Sequence, residues 1–375
     1  MRIAFFLIIL IHALIHLLGF LKGFEIKEIK EITSPVSRTM GVIWLTSFFL
    51  MLVFGILFLL NYGYSWIPGF IAALISQILV ILFWSDARFG TIPNILILAV
   101  SLFSFGYFNF NRLIQQDTSQ ILGQNQVVAE KIINDGDIQH LPEPVRNWLY
   151  NSGMVGKPLI SVGKVTQEAE MKMKPGQEKW MKAEATQYTA LNVPAFIWTV
   201  ELKINRLLQI QGRDKFADGK GDMLIKMNSL INIVNELGEK IDEGALQRYL
   251  GEMVWFPSLA LSPYITWEKI DSATARAYMT FKGTSGSGIF YFNSSGDVIS
   301  YYALRYKDNF AEAKRYGWKM NITEYKTFEG IKVPSKMNSV WELDEGDWTW
   351  LNLEVTDIRY NMNSIPGQHI SGTRQ

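Results

Sequence analysis

Four long apolar runs occupy the first part of the chain, before about residue 110. They are Ile3–Phe20, Met40–Leu60, Ile67–Trp84 and Ile92–Phe108, and none of them contains Asp, Glu, Lys or Arg. Each approaches the ~20 residues that a helix needs to cross the hydrocarbon core of a bilayer. Because a backbone in lipid has to satisfy its own hydrogen bonds, these runs predict helices. We therefore expect a four-helix transmembrane domain over residues 1–109.

From about residue 158 the apolar positions recur at every second residue instead. The alternation is clear over Ala169–Met173 and Met181–Ala185, which a Lys-Pro-Gly-Gln turn separates, and again over Ala273–Phe281. Such a pattern predicts antiparallel strands with one wet face. In the last predicted strand, Trp348–Tyr360, the apolar positions change from odd to even numbers, which predicts a bulge near Asp357.

One stretch inside this β region has helical spacing. Within Glu243–Leu261, apolar residues recur three and four positions apart until Pro257 limits the pattern. A meander of strands with one apolar helix favours a sheet curled around that helix. The expected fold is therefore a four-helix transmembrane region followed by a mainly β (α+β) domain over residues 158–362. We expect that domain to be an antiparallel sheet that curls around this helix.

The remaining segments are more polar. Residues 110–157 predict a helical linker, with a short amphipathic helix at Val127–Ile133 and another that begins at Pro144. We expect residues 363–375 to form a flexible tail.

The distribution of charge bears on topology and on partners. The chain holds 36 Lys and Arg against 35 Asp and Glu, and beyond the apolar runs the acids slightly outnumber the bases. That balance argues against nucleic-acid binding. The chain has no cysteine, which excludes disulfides, thiolate metal sites and cysteine nucleophiles.

Basic residues are also distributed unevenly between the predicted loops. Five lie in the first and third loops and two on the opposite side: Lys22, Lys27, Lys30, Arg38 and Arg88 against Arg2 and Arg112. Because cytoplasmic loops carry the excess of Lys and Arg, the first and third loops are expected in the cytoplasm. We therefore expect a multi-pass membrane protein whose C-terminal domain is extracytoplasmic.

Two histidines lie inside the first apolar run. His12 and His16 are four residues apart, so they share one helix face. Histidines within a membrane are functional candidates, and the alternative is that they hydrogen-bond to neighbouring helices. One such pair cannot hold both faces of a haem, and the apolar runs contain no further histidine. We therefore expect neither a metal nor a cofactor.

Glu252 is the one acidic residue in the middle of the apolar helix of the β domain. A buried carboxylate needs a partner, and Arg248 lies four residues earlier, with Arg305 and Arg276 as more distant cations. A structural ion pair is the favoured interpretation, and a general acid or base is the alternative. No nucleophile elbow, His-Glu-x-x-His motif or phosphate-binding loop occurs. Catalysis therefore stays open, with the balance against it, and no catalytic residue is assigned.

A set of aromatic residues in the β domain, with Glu252 and Arg305 as polar members, could line an apolar ligand pocket. The aromatic candidates are Trp198, Tyr249, Trp255, Phe256 and Trp267. The alternative is that these side chains form an ordinary core.

Two motifs carry a resemblance to a known family. They are Leu141-Pro-Glu-Pro-Val-Arg-Asn-Trp-Leu149 and Gly244-Ala-Leu-Gln-Arg-Tyr-Leu-Gly-Glu-Met-Val-Trp-Phe-Pro257. Over about residues 115–360 the chain resembles an uncharacterised bacterial family known only as a domain of unknown function. The resemblance supplies no activity. A bacterial family together with the apolar runs predicts a bacterial inner (cytoplasmic) membrane as the location.

A second, weaker resemblance concerns the fold. The segment Phe328-Glu-Gly-Ile-Lys-Val-Pro334, followed by Leu351-x-Leu-x-Val-x-x-Ile358, is similar to the periplasmic lipoprotein-carrier half-barrel. That resemblance implies a sheet that holds acyl chains beneath a helical lid, here Leu246–Pro257. The membrane tether departs from the soluble carriers and favours action at the membrane surface.

Three functional hypotheses follow. The leading one is a membrane-tethered domain that binds a lipid, another apolar ligand or a lipidated partner. The first alternative is a membrane-anchored scaffold or assembly protein that presents an apolar patch to a protein partner. The second is a carboxylate-dependent enzyme that uses Glu252.

Overall fold

The four apolar runs are all helical in the computed structural model, which describes residues 2–125, 131–205 and 208–362. The helices are α1 (Arg2–Gly23), α2 (Arg38–Leu59), α3 (Trp66–Leu82), α4 (Trp84–Ala87) and α5 (Thr91–Gly123), with a 3-10 turn at Arg88–Gly90. α1, α2 and the stretch Trp84–Gly123 are long and apolar enough to span a membrane. α3 is also apolar but has 17 residues. At about 1.5 Å per residue it falls short of the ~30 Å hydrocarbon core.

The helical unit comprises the described residues up to Arg112 together with Asn228–Leu230. Close contacts within this unit occur at glycines. A Cβ on Gly19 would lie 2.1 Å from the Trp44 ring, and one on Gly106 of α5 would lie 2.5 Å from the Leu230 side chain. Small residues at such points let apolar segments pack closely.

The second unit is built on one antiparallel sheet, with thirteen strands within the described residues. The strands are β1 (Val162–Met171), β2 (Met181–Ala190), β3 (Ala195–Lys203), β4 (Gln209–Ala217), β5 (Lys220–Met227), β6 (Ile231–Glu236), β7 (Ile265–Lys269), β8 (Thr274–Phe281), β9 (Thr284–Phe292), β10 (Val298–Tyr306), β11 (Arg315–Phe328), β12 (Ile331–Leu343) and β13 (Gly346–Tyr360). Their order is β6-β5-β4-β3-β2-β1-β13-β12-β11-β10-β9-β8-β7. Two meanders therefore join where β1 pairs with β13, and the curled sheet is a half-barrel, as expected.

Local sequence chemistry sets the strand ends and the register. Asp218 and Gly219 both have positive φ, at 51° and 76°, in the two-residue loop between β4 and β5. This is the primed turn that matches the twist of a hairpin. Where β1 meets β13, Thr166 pairs with Asp357 but Gln167 pairs with Val355. One extra residue therefore lies in β13, and the bulge predicted near Asp357 is confirmed.

The helices of this unit are short except for one. They are α6 (Asp135–Ile138), α7 (Glu143–Asn151) and α8 (Glu239–Gly251), and 3-10 turns follow α8 at Glu252–Trp255 and Pro257–Leu261. α8 and its 3-10 turns lie against the inner face of the sheet, so the predicted lid is present. Its apolar residues Leu246, Tyr249, Leu250 and Met253 are all fully buried.

Two expectations concern the flanking segments. The helix predicted over Val127–Ile133 is wrong for residues 131–133, which are extended, and residues 127–130 lie outside the described residues. Ile132 bridges to Pro158, and the Ile133 amide donates to the Lys157 carbonyl. The backbone there is bound by another segment, which overrides a weak helical preference. The predicted tail, residues 363–375, also lies outside the described residues.

The lid packs on β1 through a glycine, which gives a test of this arrangement. A Cβ on Gly163 would lie 2.2 Å from the ring of Phe256, which is fully buried. We expect Gly163→Ala to destabilise the β domain by about 1–3 kcal/mol, the usual cost of overpacking a filled core. Thermal unfolding of the detergent-solubilised protein, followed by tryptophan fluorescence, measures the effect.

Gly123→Ala is the matched control, since a Cβ at Gly123 meets nothing within 4 Å. Equal midpoints for the two variants would show that the lid does not pack on β1 as described.

Candidate functional site

A charged network joins the lid to the inner face of the sheet. Arg248 of α8 donates from Nε to Glu252 Oε1 at 2.7 Å and from Nη1 to Asp214 Oδ2 of β4 at 2.6 Å. Gln187 of β2 donates to Glu252 Oε2 at 2.7 Å and accepts from Arg248 Nη2 at 3.2 Å. Both oxygens of Glu252 are therefore engaged. The network includes the partner predicted from the four-residue spacing.

The surroundings of Arg248 are aromatic and mostly dry. Its Cζ lies 5.0 Å from the centroid of Phe196 and 4.8 Å from that of Trp198, within cation–π range. Burial opposes the charged form of Arg248, but the carboxylates of Glu252 and Asp214 outweigh it and raise the pKa of the guanidinium. Arg248 therefore stays a cation and holds two carboxylates in place.

Glu252 is in the ion pair with Arg248 that the sequence analysis favoured. Its oxygens face a guanidinium and an amide that are themselves fixed, and its side chain is 8% exposed. Arg276, the more distant cation considered above, pairs instead with Glu268 on the surface. Both oxygens of Glu252 accept hydrogen bonds from groups of this chain, Oε1 from Arg248 and Oε2 from Gln187.

The aromatic candidates of the lid are core side chains. Tyr249, Trp255 and Phe256 are at most 1% exposed. The Tyr249 hydroxyl donates to the Ala190 carbonyl at 2.8 Å, and Trp255 Nε1 donates to the Pro334 carbonyl at 3.2 Å. These bonds satisfy the polar atoms of both rings and fasten the lid to strands on either side.

Trp198 and Trp267 lie nearer the margins of the core. Trp198 Nε1 donates to Gln167 Oε1 at 2.9 Å, beneath the Arg248 guanidinium. Trp267, on the short strand β7, donates to the Ala260 carbonyl at 3.0 Å and packs on Phe290 with ring centroids 5.4 Å apart. The structure therefore brings Trp198 and Glu252 into one network but leaves Trp267 apart from it.

Arg305 points inward from β10 on the opposite wall. Its Nη2 donates to the Gly244 carbonyl of α8 at 2.8 Å, and its Cζ stacks 4.1 Å over the Trp318 ring. Burial, and then the positive charge of Arg248, lower the pKa of Arg305 to about 10. Sequence analysis singled out Arg305 but missed Trp318 and Trp341, which pair across β11 and β12 beside it.

A second feature of the inner face was missed from the sequence. One cross-strand row runs from the centre of the sheet to its edge: Ala183 pairs with Leu202, Leu202 with Ile210, Ile210 with Met227 and Met227 with Ile231. Leu202 and Ile210 share a face with Trp198 and Asp214, which contact Arg248, because residues two apart in a strand point the same way. We call Ala183, Leu202, Ile210, Met227 and Ile231 the apolar row.

The apolar row becomes progressively exposed towards the edge strand β6. Leu202 is 2% exposed, Ile210 and Met227 are half-buried, and Ile231 is 63% exposed. Ile204 and Leu208, next to the row, are exposed as well. The lid therefore covers only part of the inner face. The period-two apolar pattern of β3 to β6 contained this signal, but the face and the register were needed to assemble it.

The outer face of the central strands is polar. An open groove of about 700 Å³ crosses β3, β2, β1, β13 and β12 and is lined mainly by charged and amide side chains. Glu168 pairs across the strands with Glu184 and with Glu354. Like charges in opposite positions disfavour the sheet. The surface of this groove is therefore much more polar than the apolar row.

The two histidines of the helical unit join a buried hydrogen-bond chain. His12 Nε2 lies 2.9 Å from Asn94 Oδ1, His16 Nε2 lies 2.9 Å from Ser76 Oγ, and His16 Nδ1 lies 2.9 Å from the His12 carbonyl. Asn94 in turn donates to Gln77 at 3.1 Å. If both rings are neutral, His12 donates to Asn94 and His16 accepts from Ser76. The chain links α1, α3 and α5, which is the interhelical alternative considered above.

Comparison with known proteins adds a family but no activity. A model for a family of unknown function (DUF6544) matches residues 131–353. No curated protein matches the sequence. Among solved structures, the chain is similar to the crystal structure of a LolA superfamily protein from Nitrosomonas europaea, with 11% sequence identity and a TM-score of 0.33. The alignment covers 59% of this chain and 94% of that chain.

The charged network predicts a specific pattern of stability. Arg248→Met removes the cation that bonds to both Asp214 and Glu252 and leaves two largely buried carboxylates without it. We expect a loss of about 3–5 kcal/mol, the usual cost of removing one partner of a buried ion pair. The triple variant Asp214→Leu, Arg248→Met and Glu252→Met should recover much of that loss, since no charge is left unpaired.

Thermal unfolding of the three proteins side by side measures both effects. A triple variant as unstable as the single one would contradict an electrostatic origin and point to packing of the Arg248 side chain on Phe196 and Trp198.

The histidine chain predicts a modest effect without metal dependence. His16→Phe keeps the ring volume but loses the bonds to Ser76 and to the His12 carbonyl. Interhelical hydrogen bonds in membranes contribute about 0.6 kcal/mol on average and rarely more than ~1.7 kcal/mol, so we expect a small drop in the unfolding midpoint. A chelator should leave the unmodified protein unchanged. A chelator-dependent midpoint that His16→Phe abolishes would instead establish a metal site.

Proposed function

Because this chain belongs to the DUF6544 family of unknown function, we propose a function from its own geometry. It is an integral membrane protein whose half-barrel domain binds an apolar chain, such as the acyl chain of a lipid, on its inner face. The observation that carries the proposal is the apolar row, whose residues become more exposed from the region beneath the lid towards the edge strand β6.

The energetics of the row favour an apolar occupant. Transfer of one Ile or Leu side chain from water to apolar surroundings contributes about 1.5–3 kcal/mol. Ile210, Met227 and Ile231 are side by side and are only partly covered by this chain. An acyl chain that binds along these three side chains also loses contact with water, which contributes about 0.8 kcal/mol of binding free energy per buried CH2. The polar groups nearby, in the Arg248 network, bond to each other and do not compete.

The apolar helices of the same chain support a lipid as the source. α1, α2 and the stretch Trp84–Gly123 are long and apolar enough to span a membrane. A chain held in a bilayer by such helices has lipid available as a ligand. The sequence candidates Trp198 and Arg305 face the same interior, and in this proposal they border the occupied region.

The membrane topology is part of the proposal. α1, α2 and Trp84–Gly123 meet the length for a span. We propose that the shorter α3 also crosses, which gives four spans and a multi-pass protein of a bacterial inner membrane. The bias of Lys and Arg to the first and third loops favours the extracytoplasmic side for the β domain.

Photo-crosslinking tests the ligand proposal. The full-length protein is reconstituted in nanodiscs with a phospholipid that carries a diazirine near the end of one acyl chain. After illumination, peptide mapping locates the adducts. Because apolar helices carry lipid of their own, the position of the adduct is the readout. We expect adducts within residues 202–231 as well as in the helices.

Two variants sharpen the result. Ile231→Glu places a carboxylate at the exposed end of the row and should lower the β-domain adducts by roughly tenfold or more, as expected for a charge set against hydrocarbon. Ile299→Glu is the control, because Ile299 is also exposed, at 45%, but lies outside the row. Adducts confined to the helices, or equal adducts in both variants, would contradict the proposal and leave the row as a surface for a protein partner.

A further inference from the structure

The wall of the half-barrel is split between β9 and β10. The two strands pair only from Val298 and Phe292 to Tyr302 and Ile289. Beyond that point Thr284–Gly288 stays paired with β8, and Ala303–Tyr306 stays on β11. An open groove of about 550 Å³ lies at this split. We call it the slit.

A glutamine side chain from the lid stands in the slit where a neighbouring strand would be. Gln247 Nε2 donates to the Leu304 carbonyl at 2.9 Å and to the Ser287 carbonyl at 3.5 Å. In an ordinary ladder each of these carbonyls would meet a backbone N–H of the adjacent strand. A glycine makes the room, since a Cβ on Gly286 would lie 2.8 Å from Gln247 Cγ. One amide group therefore replaces the missing pairing.

The other end of that amide has no partner. Gln247 is 3% exposed, and its Oε1 accepts no hydrogen bond among the described residues. A buried amide oxygen without a donor costs free energy that a ligand can recover. The slit therefore favours a ligand that brings an N–H or O–H group to Gln247.

The strand edges narrow the ligand class. In an antiparallel strand the N–H and C=O of one residue point to the same side. The carbonyls of Ser287 and Leu304 face the slit, so their N–H groups face it too. Donors and acceptors thus alternate along both edges at the spacing of a strand. Exposed Tyr278 and Leu304 line the same groove, where they can contact side chains at alternate positions.

We propose that the slit binds a short extended peptide segment of a partner protein, which adds to the edges of β9 and β10 and donates a backbone N–H to Gln247 Oε1. This mode of recognition draws affinity from main-chain hydrogen bonds and specificity from alternate side chains. It is independent of the lipid proposal, because the slit and the apolar row lie on different strands.

A peptide selection tests the proposal. Random linear dodecapeptides displayed on phage are selected on the full-length protein in nanodiscs, with empty nanodiscs as counter-selection. Enriched sequences are synthesised, and their affinity is measured by fluorescence anisotropy. We expect binding that is lost when alternate peptide nitrogens are methylated, since each methyl removes one strand-type donor. This readout does not depend on the stability of any protein variant.

Protein variants locate the site. Gln247→Leu should weaken binding by about tenfold, because the peptide loses its acceptor at the base of the slit. Tyr278→Ala should weaken it several-fold, while Tyr291→Ala should leave it unchanged. The two tyrosines are similarly exposed, at 41% and 37%, but only Tyr278 lines the groove. Failure to enrich any peptide, or binding that survives both N-methylation and Gln247→Leu, would overturn the proposal.

Discussion

One short helical segment has to cover the inner face of a very wide sheet, and the rest of the β domain is arranged around that constraint. α8 has 13 residues, so it is about 20 Å long at 1.5 Å per residue. With its 3-10 turns it fills the centre of the half-barrel, where Leu246, Leu250 and Met253 are fully buried. The apolar row lies on the part of the inner face that this helical segment does not reach. The slit lies where Gln247 of α8 stands between β9 and β10 and the two strands do not pair.

The charged network explains how the lid keeps one position. Arg248 reaches β4 through Asp214 and β2 through Gln187, while Glu252 closes the network from the following turn. A buried ion pair adds little stability compared with apolar residues of the same size, but a displaced lid would leave a charge unpaired at a cost of several kcal/mol. The network therefore specifies the position of the lid more than it adds to the stability of the domain. In our proposal a fixed lid keeps the row accessible without the need to open.

Local patterns determined much of the architecture. Apolar runs without charge specify helices because a backbone in lipid has no other partner. Alternation predicted strands such as Ala169–Met173, Met181–Ala185 and Ala273–Phe281, and the change of parity in β13 located the bulge opposite Thr166 and Gln167. The four-residue spacing of Arg248 and Glu252 was likewise sufficient to predict that the two side chains are in contact. Each of these inferences depends on residues within one or two turns or strand positions of each other.

The tertiary structure decided what those elements leave exposed. Tyr249, Trp255 and Phe256 are aromatic residues of the kind that line ligand pockets. In the fold they are fully buried in the core, because of the strand register and the position of the lid. Ile210, Met227 and Ile231 attracted no attention individually, because a row across strands exists only once the pairing is known. The same holds for Gln247, whose partners are 40 and 57 residues away. The sequence by itself determined the apolar helices, most strands, the bulge and the helical spacing of α8, since short-range periodicity encodes them. Only the fold decided which faces are covered, because burial depends on partners that are distant in the chain.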